Sequence, residues 1–142
     1  MSDQLKNFFQ TQENPLADLK KLLNNVGAQS KKGFLVFKNN KYVTIQTEYI
    51  AFFYIRNDAT TIVTFDRQEY TIDLSLEEVH QLLAAKQFFR INRQYLINFN
   101  SVKEVEHYFS RKLFVRLVID TPEKLLVGKD KAAGFLAWLD NG

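Results

Sequence analysis

The sequence predicts a mainly β fold, made of small antiparallel sheets with two or three short helices. Short apolar segments alternate with polar turn dipeptides such as Asn39-Asn40 and Asn57-Asp58, which is the spacing of β-hairpins. The strand-like segments before residue 75 also follow one another with no crossover helix between them. Parallel pairing needs such a crossover, so we expect the strands to pair antiparallel.

The first helix signal lies near the N-terminus. Asn14 is a candidate N-cap, Pro15 suits the first helical position, and Gly27 closes the pattern. Between them the apolar residues recur at helical spacing: Leu16, Leu19, Leu23 and Val26. We assign residues 1–32 to an N-terminal helical linker and residues 33–142 to the main domain. The short helix either packs on this domain, joins a partner helix or connects to an upstream domain.

Strands come next along the chain. They are expected at residues 34–38, 42–46, 49–55, 60–65 and 70–73. Ser75 and Glu78 then form a capping-box pattern, which opens a helix that contains Leu76, Val79, Leu82 and Leu83.

The C-terminal third predicts another hairpin and a last helix. Alternating residues favour strands at 102–109 and 112–120, joined by a turn at Ser110-Arg111. A short strand at 124–127 follows, and the segment from Gly128 to Lys131 leads into a helix at about residues 132–139.

Composition argues against several classes of protein. There is no Cys, which excludes disulfides, thiolate catalysis and zinc ribbons and agrees with a reducing, cytoplasmic location. No apolar run approaches the roughly 18 residues that a membrane-spanning helix needs. His80 and His107 lack metal-ligand spacing, and Glu104 with Glu106 is typical of a solvated strand face. We therefore expect no enzyme activity, no cofactor, no metal and no membrane contact.

Charge is distributed unevenly along the chain. Residues 86–131 hold ten Lys and Arg against five Asp and Glu, a net charge of +5, so the rest of the chain carries −2 of the total of +3. A basic segment of this kind is suited to a polyanionic partner.

The centre of this basic segment is residues 88–98, Phe-Phe-Arg-Ile-Asn-Arg-Gln-Tyr-Leu-Ile-Asn. Its apolar residues are numerous enough to anchor the segment in a core. Arg90, Asn92, Arg93 and Gln94 carry hydrogen-bond donors suited to phosphates or base edges. Because Asn92-Arg93-Gln94 lies between two apolar runs, we expect an exposed turn on a rigid frame.

Residues 88–98 resemble the signature of the LytTR DNA-binding domain. The similarity extends over about residues 34–139 and includes the segment 48–54, the capped helix at 75–83, and Val127-Gly128-Lys129 before a terminal helix with Trp138. The resemblance implies small antiparallel sheets of the LytTR type that insert loops into the major groove of double-stranded DNA.

The resemblance also implies which residues contact DNA. Base contacts are expected from Arg93, Asn57, Thr60 and Lys129. Phosphate contacts are expected from Arg90, Asn92, Gln94, Arg56 and Lys131. Gly128-Lys129 stands where family members often have Ser-Arg, so an ammonium replaces the planar fork that grips guanine.

The partners follow from the same resemblance. Family members are usually output modules of bacterial two-component response regulators and occupy direct-repeat promoter sites as pairs. The expected partners are thus a direct-repeat promoter site, a second copy on DNA, and, in a full-length regulator, an upstream receiver domain and a sensor kinase. The alternative is a β-rich protein-interaction module without DNA binding, which would use aromatic residues of its β-surface.

Overall fold

A computed structural model of the protein describes residues 30–141, and the helix predicted near the N-terminus lies outside this range. The described part holds ten strands and two α-helices, joined by short 3-10 turns. The strands are β1 Gly33–Lys38, β2 Lys41–Gln46, β3 Ile50–Arg56, β4 Ala59–Thr64, β5 Glu69–Ile72, β6 Phe88–Arg90, β7 Tyr95–Asn98, β8 Val102–His107, β9 Leu113–Leu117 and β10 Leu125–Val127. The helices are α1 Leu76–Leu82 and α2 Lys129–Asn141.

The strands form three antiparallel sheets. One is the β1–β2 hairpin, one has the order β5-β4-β3-β7-β6, and one has the order β10-β9-β8. In the five-stranded sheet the pairing of β3 with β7 joins the β3–β4–β5 meander to the β6–β7 hairpin. The predicted mainly β, antiparallel fold is confirmed.

Tight turns close the hairpins where the sequence predicts them. Asn39 and Asn40 have φ of 54° and 63°, and Asn57 and Asp58 have φ of 52° and 62°. Two consecutive residues with positive φ match the right-handed twist of the flanking strands, and Asn and Asp tolerate this conformation better than most residues.

The helix ends show one confirmed prediction and one wrong boundary. The capping box is present, because Glu78 N donates to Ser75 Oγ (3.0 Å) and Ser75 N donates to Glu78 Oε1 (2.8 Å). Helix α2 begins at Lys129, three residues before the predicted start at 132, since Lys131 N already donates to the carbonyl of Gly128 (3.0 Å). Lys129 and Lys131 therefore lie in the first helical turn.

The five-stranded sheet is packed on both faces. The β1–β2 hairpin and α1 cover one face, where Phe53 and Leu96 are fully buried. The β8–β10 sheet and α2 cover the other, where Phe52 and Ile97 lie in the core. Neighbouring residues of a strand point to opposite faces, which explains why two consecutive Phe serve two different core clusters.

Candidate nucleic-acid interface

Two of the predicted DNA-contacting segments leave the five-stranded sheet at the same end. Strand β3 runs into the Asn57-Asp58 turn, and β7 begins directly after the turn of residues 92–94. The two strands are antiparallel neighbours, with Tyr54 opposite Tyr95. Beyond this pair, Ile55 N donates to the carbonyl of Gln94 (3.1 Å). The two turns therefore lie side by side.

The start of α2 reaches the same end of the sheet. Lys131 Nζ donates to the carbonyl of Arg90 (3.2 Å), the last residue of β6. Since β6 is antiparallel to β7, its last residue lies beside the first residues of β7. The three segments that the sequence singles out, namely the 57–58 turn, the 92–94 turn and the first turn of α2, are thus brought together. We call this surface the loop end.

Arg93 is the exposed cation at the centre of the loop end. It projects from the turn between β6 and β7, and none of the ion pairs found within residues 30–141 involves it. Gln94 beside it is also exposed, although its main chain is bonded on both sides, to Ile55 through the carbonyl and to Asn92 through the N–H.

Arg90 points into the protein, although the sequence predicts it as a phosphate contact. Its side chain is only 18% exposed. Its guanidinium donates to the carbonyls of Asn92 (Nε, 3.0 Å) and Arg93 (Nη2, 2.7 Å), and it pairs with the Glu77 carboxylate (Nη1, 3.2 Å). All three guanidinium nitrogens are engaged within the protein.

Asn92 is likewise occupied with its own turn. Its Oδ1 accepts the backbone N–H groups of Gln94 (2.8 Å) and Tyr95 (3.0 Å). An Asn side chain that closes a turn in this way replaces a backbone acceptor. Its carboxamide oxygen therefore shapes the turn.

Thr60 is buried, with 5% of its surface exposed, because it lies in β4 between Ile55 of β3 and Ile72 of β5. This placement differs from the exposed base contact that the sequence predicts. The accessible part of this hairpin is its tip, where Asn57 and Asp58 are exposed. Arg56 is exposed as well and pairs with Glu69 (2.7 Å), a hydrogen bond that raises the pKa of Arg56.

The first turn of α2 adds two exposed cations to the loop end. Lys129 and Lys131 flank Asp130 there. The free N–H groups of a helix N-terminus also favour anions, so this segment is electrostatically suited to phosphate.

Two carboxylates near the loop end were not singled out from the sequence as parts of the site. Glu123 accepts the hydroxyl of Tyr95 (2.8 Å), and burial together with this bond raises the pKa of Tyr95. Glu77 pairs with Arg90. Their sequence separations from these partners, 28 and 13 residues, exceed any local pattern, so only a three-dimensional contact identifies them.

One histidine lies close to the Arg90 network. Burial lowers the pKa of His80, and the positive charges of Arg90 and Lys131 lower it further, against the opposing effect of Glu77. Among the described residues, no three His, Cys, Asp or Glu side chains gather as metal ligands. Within residues 30–141 no helix combines the length and the hydrophobicity needed to cross a bilayer.

Comparisons with known proteins agree on a single family. The family model described as the LytTr DNA-binding domain matches residues 40–140. A solved LytTr DNA-binding domain, from a methyl-accepting/DNA response regulator of Bacillus cereus, is similar with a TM-score of 0.65 and 18% identity over 78% of this chain and 98% of that domain. No curated protein matches the chain. Because the family model spans well over half of the 142 residues, this chain belongs to the LytTr DNA-binding domain family.

Proposed function

We propose that this protein binds double-stranded DNA sequence-specifically by inserting the loop end into the major groove, as the output module of a two-component transcriptional regulator. One observation carries the proposal: the 57–58 turn, the 92–94 turn and the start of α2 meet at one end of a sheet that is packed on both faces. Loops on a packed scaffold are suited to holding donors at defined distances, which base recognition requires.

Base contacts come from Arg93, Asn57 and Lys129. The forked guanidinium of Arg93 can donate to O6 and N7 of one guanine, a contact worth about 1–3 kcal/mol of discrimination. The Asn57 carboxamide can bond to N6 and N7 of adenine. Lys129 donates as a single ammonium and therefore discriminates less than an arginine would. Thr60 is left out because it is buried.

Phosphate contacts come from Gln94, Arg56, Lys131 and the N-terminus of α2. They set the register of the protein on the duplex and release counterions, so affinity falls as salt rises. Arg90 is left out because its side chain is only 18% exposed and all three guanidinium nitrogens are bonded, and Asn92 because its Oδ1 closes its own turn. Arg56 and Lys131 each make one internal contact but remain exposed.

The partners of the proposed regulator follow from the family. Two copies would occupy a direct-repeat promoter site as a homodimer on DNA, and a receiver domain with its sensor kinase would control them. The similar Bacillus cereus domain comes from a protein described as a response regulator, which supports this assignment.

The test begins with selection of a preferred duplex from a random library. Fluorescence anisotropy at fixed salt then gives the ratio of target to random affinity. We expect Arg93→Ala to lower this ratio by about five- to 150-fold, the equivalent of 1–3 kcal/mol. Arg56→Ala, which removes a proposed phosphate contact that is not bonded to the 92–94 turn, should weaken binding to both duplexes alike.

Arg67→Gly is the matched control. It removes one exposed arginine from the β4–β5 turn, at the opposite end of the same sheet, where a φ of 68° suits glycine. The ratio of target to random affinity in this variant should equal that of the native protein. Failure to enrich any sequence, or an unchanged ratio in Arg93→Ala, would show that the proposed base contact is wrong.

One observation favours protein binding as a second candidate function. The outer face of the β1–β2 hairpin exposes Leu35, Phe37 and Tyr42 to 65%, 57% and 72%, and the last two rings pack together at 4.8 Å. Several large apolar side chains exposed together on one face often mark an interaction site. This face belongs to a different sheet from the loop end, so Phe37→Ser should leave DNA affinity unchanged.

A further inference from the structure

We infer that Arg90 is a positioning residue: its guanidinium, held by Glu77, fixes the 92–94 turn and so determines how well Arg93 discriminates between sequences. This inference rests on the DNA-reading role proposed for Arg93. The positioning role of Arg90 requires no contact between Arg90 and DNA.

The geometry of the guanidinium supports this role. Two of its nitrogens bind the carbonyls of consecutive turn residues, Asn92 (3.0 Å) and Arg93 (2.7 Å), while the third binds Glu77 (3.2 Å). This pattern uses the planar fork of arginine, because an ammonium on a flexible stem has no fixed arrangement of donors. Glu77 belongs to the first turn of α1, so the turn is tied to a second element of the fold.

Asn92 completes the restraint from the other side. Its Oδ1 accepts the N–H groups of Gln94 and Tyr95, while Arg90 binds the two carbonyls. The carbonyls of the first two turn residues and the N–H groups of Gln94 and Tyr95 are therefore all satisfied from within. A backbone that is already ordered loses less entropy when it binds, and it places the Arg93 side chain in a defined direction.

The main chain of Arg90 is held as well. Lys131 Nζ donates to the Arg90 carbonyl (3.2 Å), and the side chain of Arg90 is only 18% exposed. Little of the guanidinium is left for a phosphate. A phosphate contact and a positioning role differ in a measurable way, because each phosphate neutralised on duplex DNA adds about 0.9 to the slope of log affinity against log salt.

The experiment measures target affinity, random-duplex affinity and the salt slope for the whole chain. Arg90→Gln should lower the ratio of target to random affinity by about tenfold, part of the range available to one arginine–guanine contact. Its salt slope on random duplex should remain native. Arg90→Lys should lose discrimination to a similar extent, although it keeps the charge.

A double-mutant cycle isolates the coupling between the two arginines. In an Arg93→Ala background, Arg90→Gln should cause no further loss of discrimination, because the side chain it positions is gone. Glu77→Gln, an exposed and conservative change, should lower the ratio less than Arg90→Gln does, and it remains informative if the Arg90 variants fold poorly. Arg67→Gly again serves as the control.

The outcomes separate this inference from the proposed function. If Arg90→Gln lowers the salt slope by about 0.9 and weakens all sequences alike, Arg90 is a phosphate contact and the inference is wrong. Additive losses in the Arg93→Ala background, or an unchanged ratio in Arg90→Gln, also overturn it. A native protein without any sequence preference overturns the proposed function, and this inference with it.

Discussion

The 57–58 turn and the 92–94 turn lie side by side, yet they are held in different ways. The first is a two-residue hairpin turn whose shape depends on the backbone, with Asn57 and Asp58 both at positive φ. The second is shaped by side chains, since Asn92 accepts two backbone N–H groups and Arg90 donates to two backbone carbonyls. One turn is thus local, and the other depends on the fold around it.

The two turns should therefore respond to different kinds of substitution. A two-residue turn gains its order from the strands on either side and from residues that tolerate positive φ. The three-residue turn gains its order from hydrogen bonds to side chains, one of which is anchored on α1. We therefore expect the 92–94 turn to be sensitive to substitutions that remove a hydrogen bond, and the 57–58 turn to be sensitive to substitutions that change its backbone preference.

The largest effect is expected from Asn92→Ala. This variant leaves the N–H groups of Gln94 and Tyr95 without their acceptor, so the free energy of unfolding should fall by about 1–2 kcal/mol, as for the loss of a helix cap. Urea denaturation measures the change. Asn92→Asp keeps an acceptor oxygen and should stay close to the native protein. Equal losses in the two variants would contradict the idea that this oxygen shapes the turn.

A smaller effect of opposite sign is expected in the neighbouring turn. Asp58 has a φ of 62°, and glycine adopts this conformation at no steric cost. Asp58→Gly should therefore raise the free energy of unfolding by about 0.5 kcal/mol, whereas Asp58→Ala should lower it by about 1 kcal/mol. Urea denaturation of both variants decides the point. If the alanine variant were the more stable, backbone conformation would not control this turn.

The smallest effect concerns pH and the surroundings of the 92–94 turn. Burial and the charges of Arg90 and Lys131 lower the pKa of His80 in the folded state, whereas the unfolded chain has a pKa of about 6.5. The unfolded state therefore binds more protons between these two values. The contribution of neutral His80 to stability is fully present above pH of about 6.5 and is lost as the pH falls through the folded pKa.

His80→Gln tests this linkage. The variant should lose less stability than the native protein when urea denaturation at pH 7.5 is compared with denaturation at pH 5. His107→Gln controls for the removal of an imidazole elsewhere in the chain. A native-like pH dependence in His80→Gln would show that other groups carry the effect.

Much of the fold was predictable because it depends on neighbouring residues. Alternating apolar residues predict the strands, Asn-rich dipeptides predict the turns, and Ser75 with Glu78 predicts the helix cap that the structure contains. The first turn of α2 was missed by three residues, because Gly128, which directly follows β10, accepts the first helical hydrogen bond without a strong cap signal. The sequence also identified the 88–98 segment as a candidate DNA-contacting segment, and its 92–94 turn lies at the loop end.

The sequence alone therefore determined the fold class, the family and the segments that form the loop end. Only the tertiary structure decided that Arg90 turns inward, that Thr60 is buried and that the three segments meet. The physical reason is the separation along the sequence between the residues that interact. Strand periodicity and positive φ are decided within a few residues, whereas Arg90 finds Glu77 across 13 residues and Lys131 across 41. Two arginines three residues apart, which look alike in the sequence, acquire different surroundings because the chain folds around one of them.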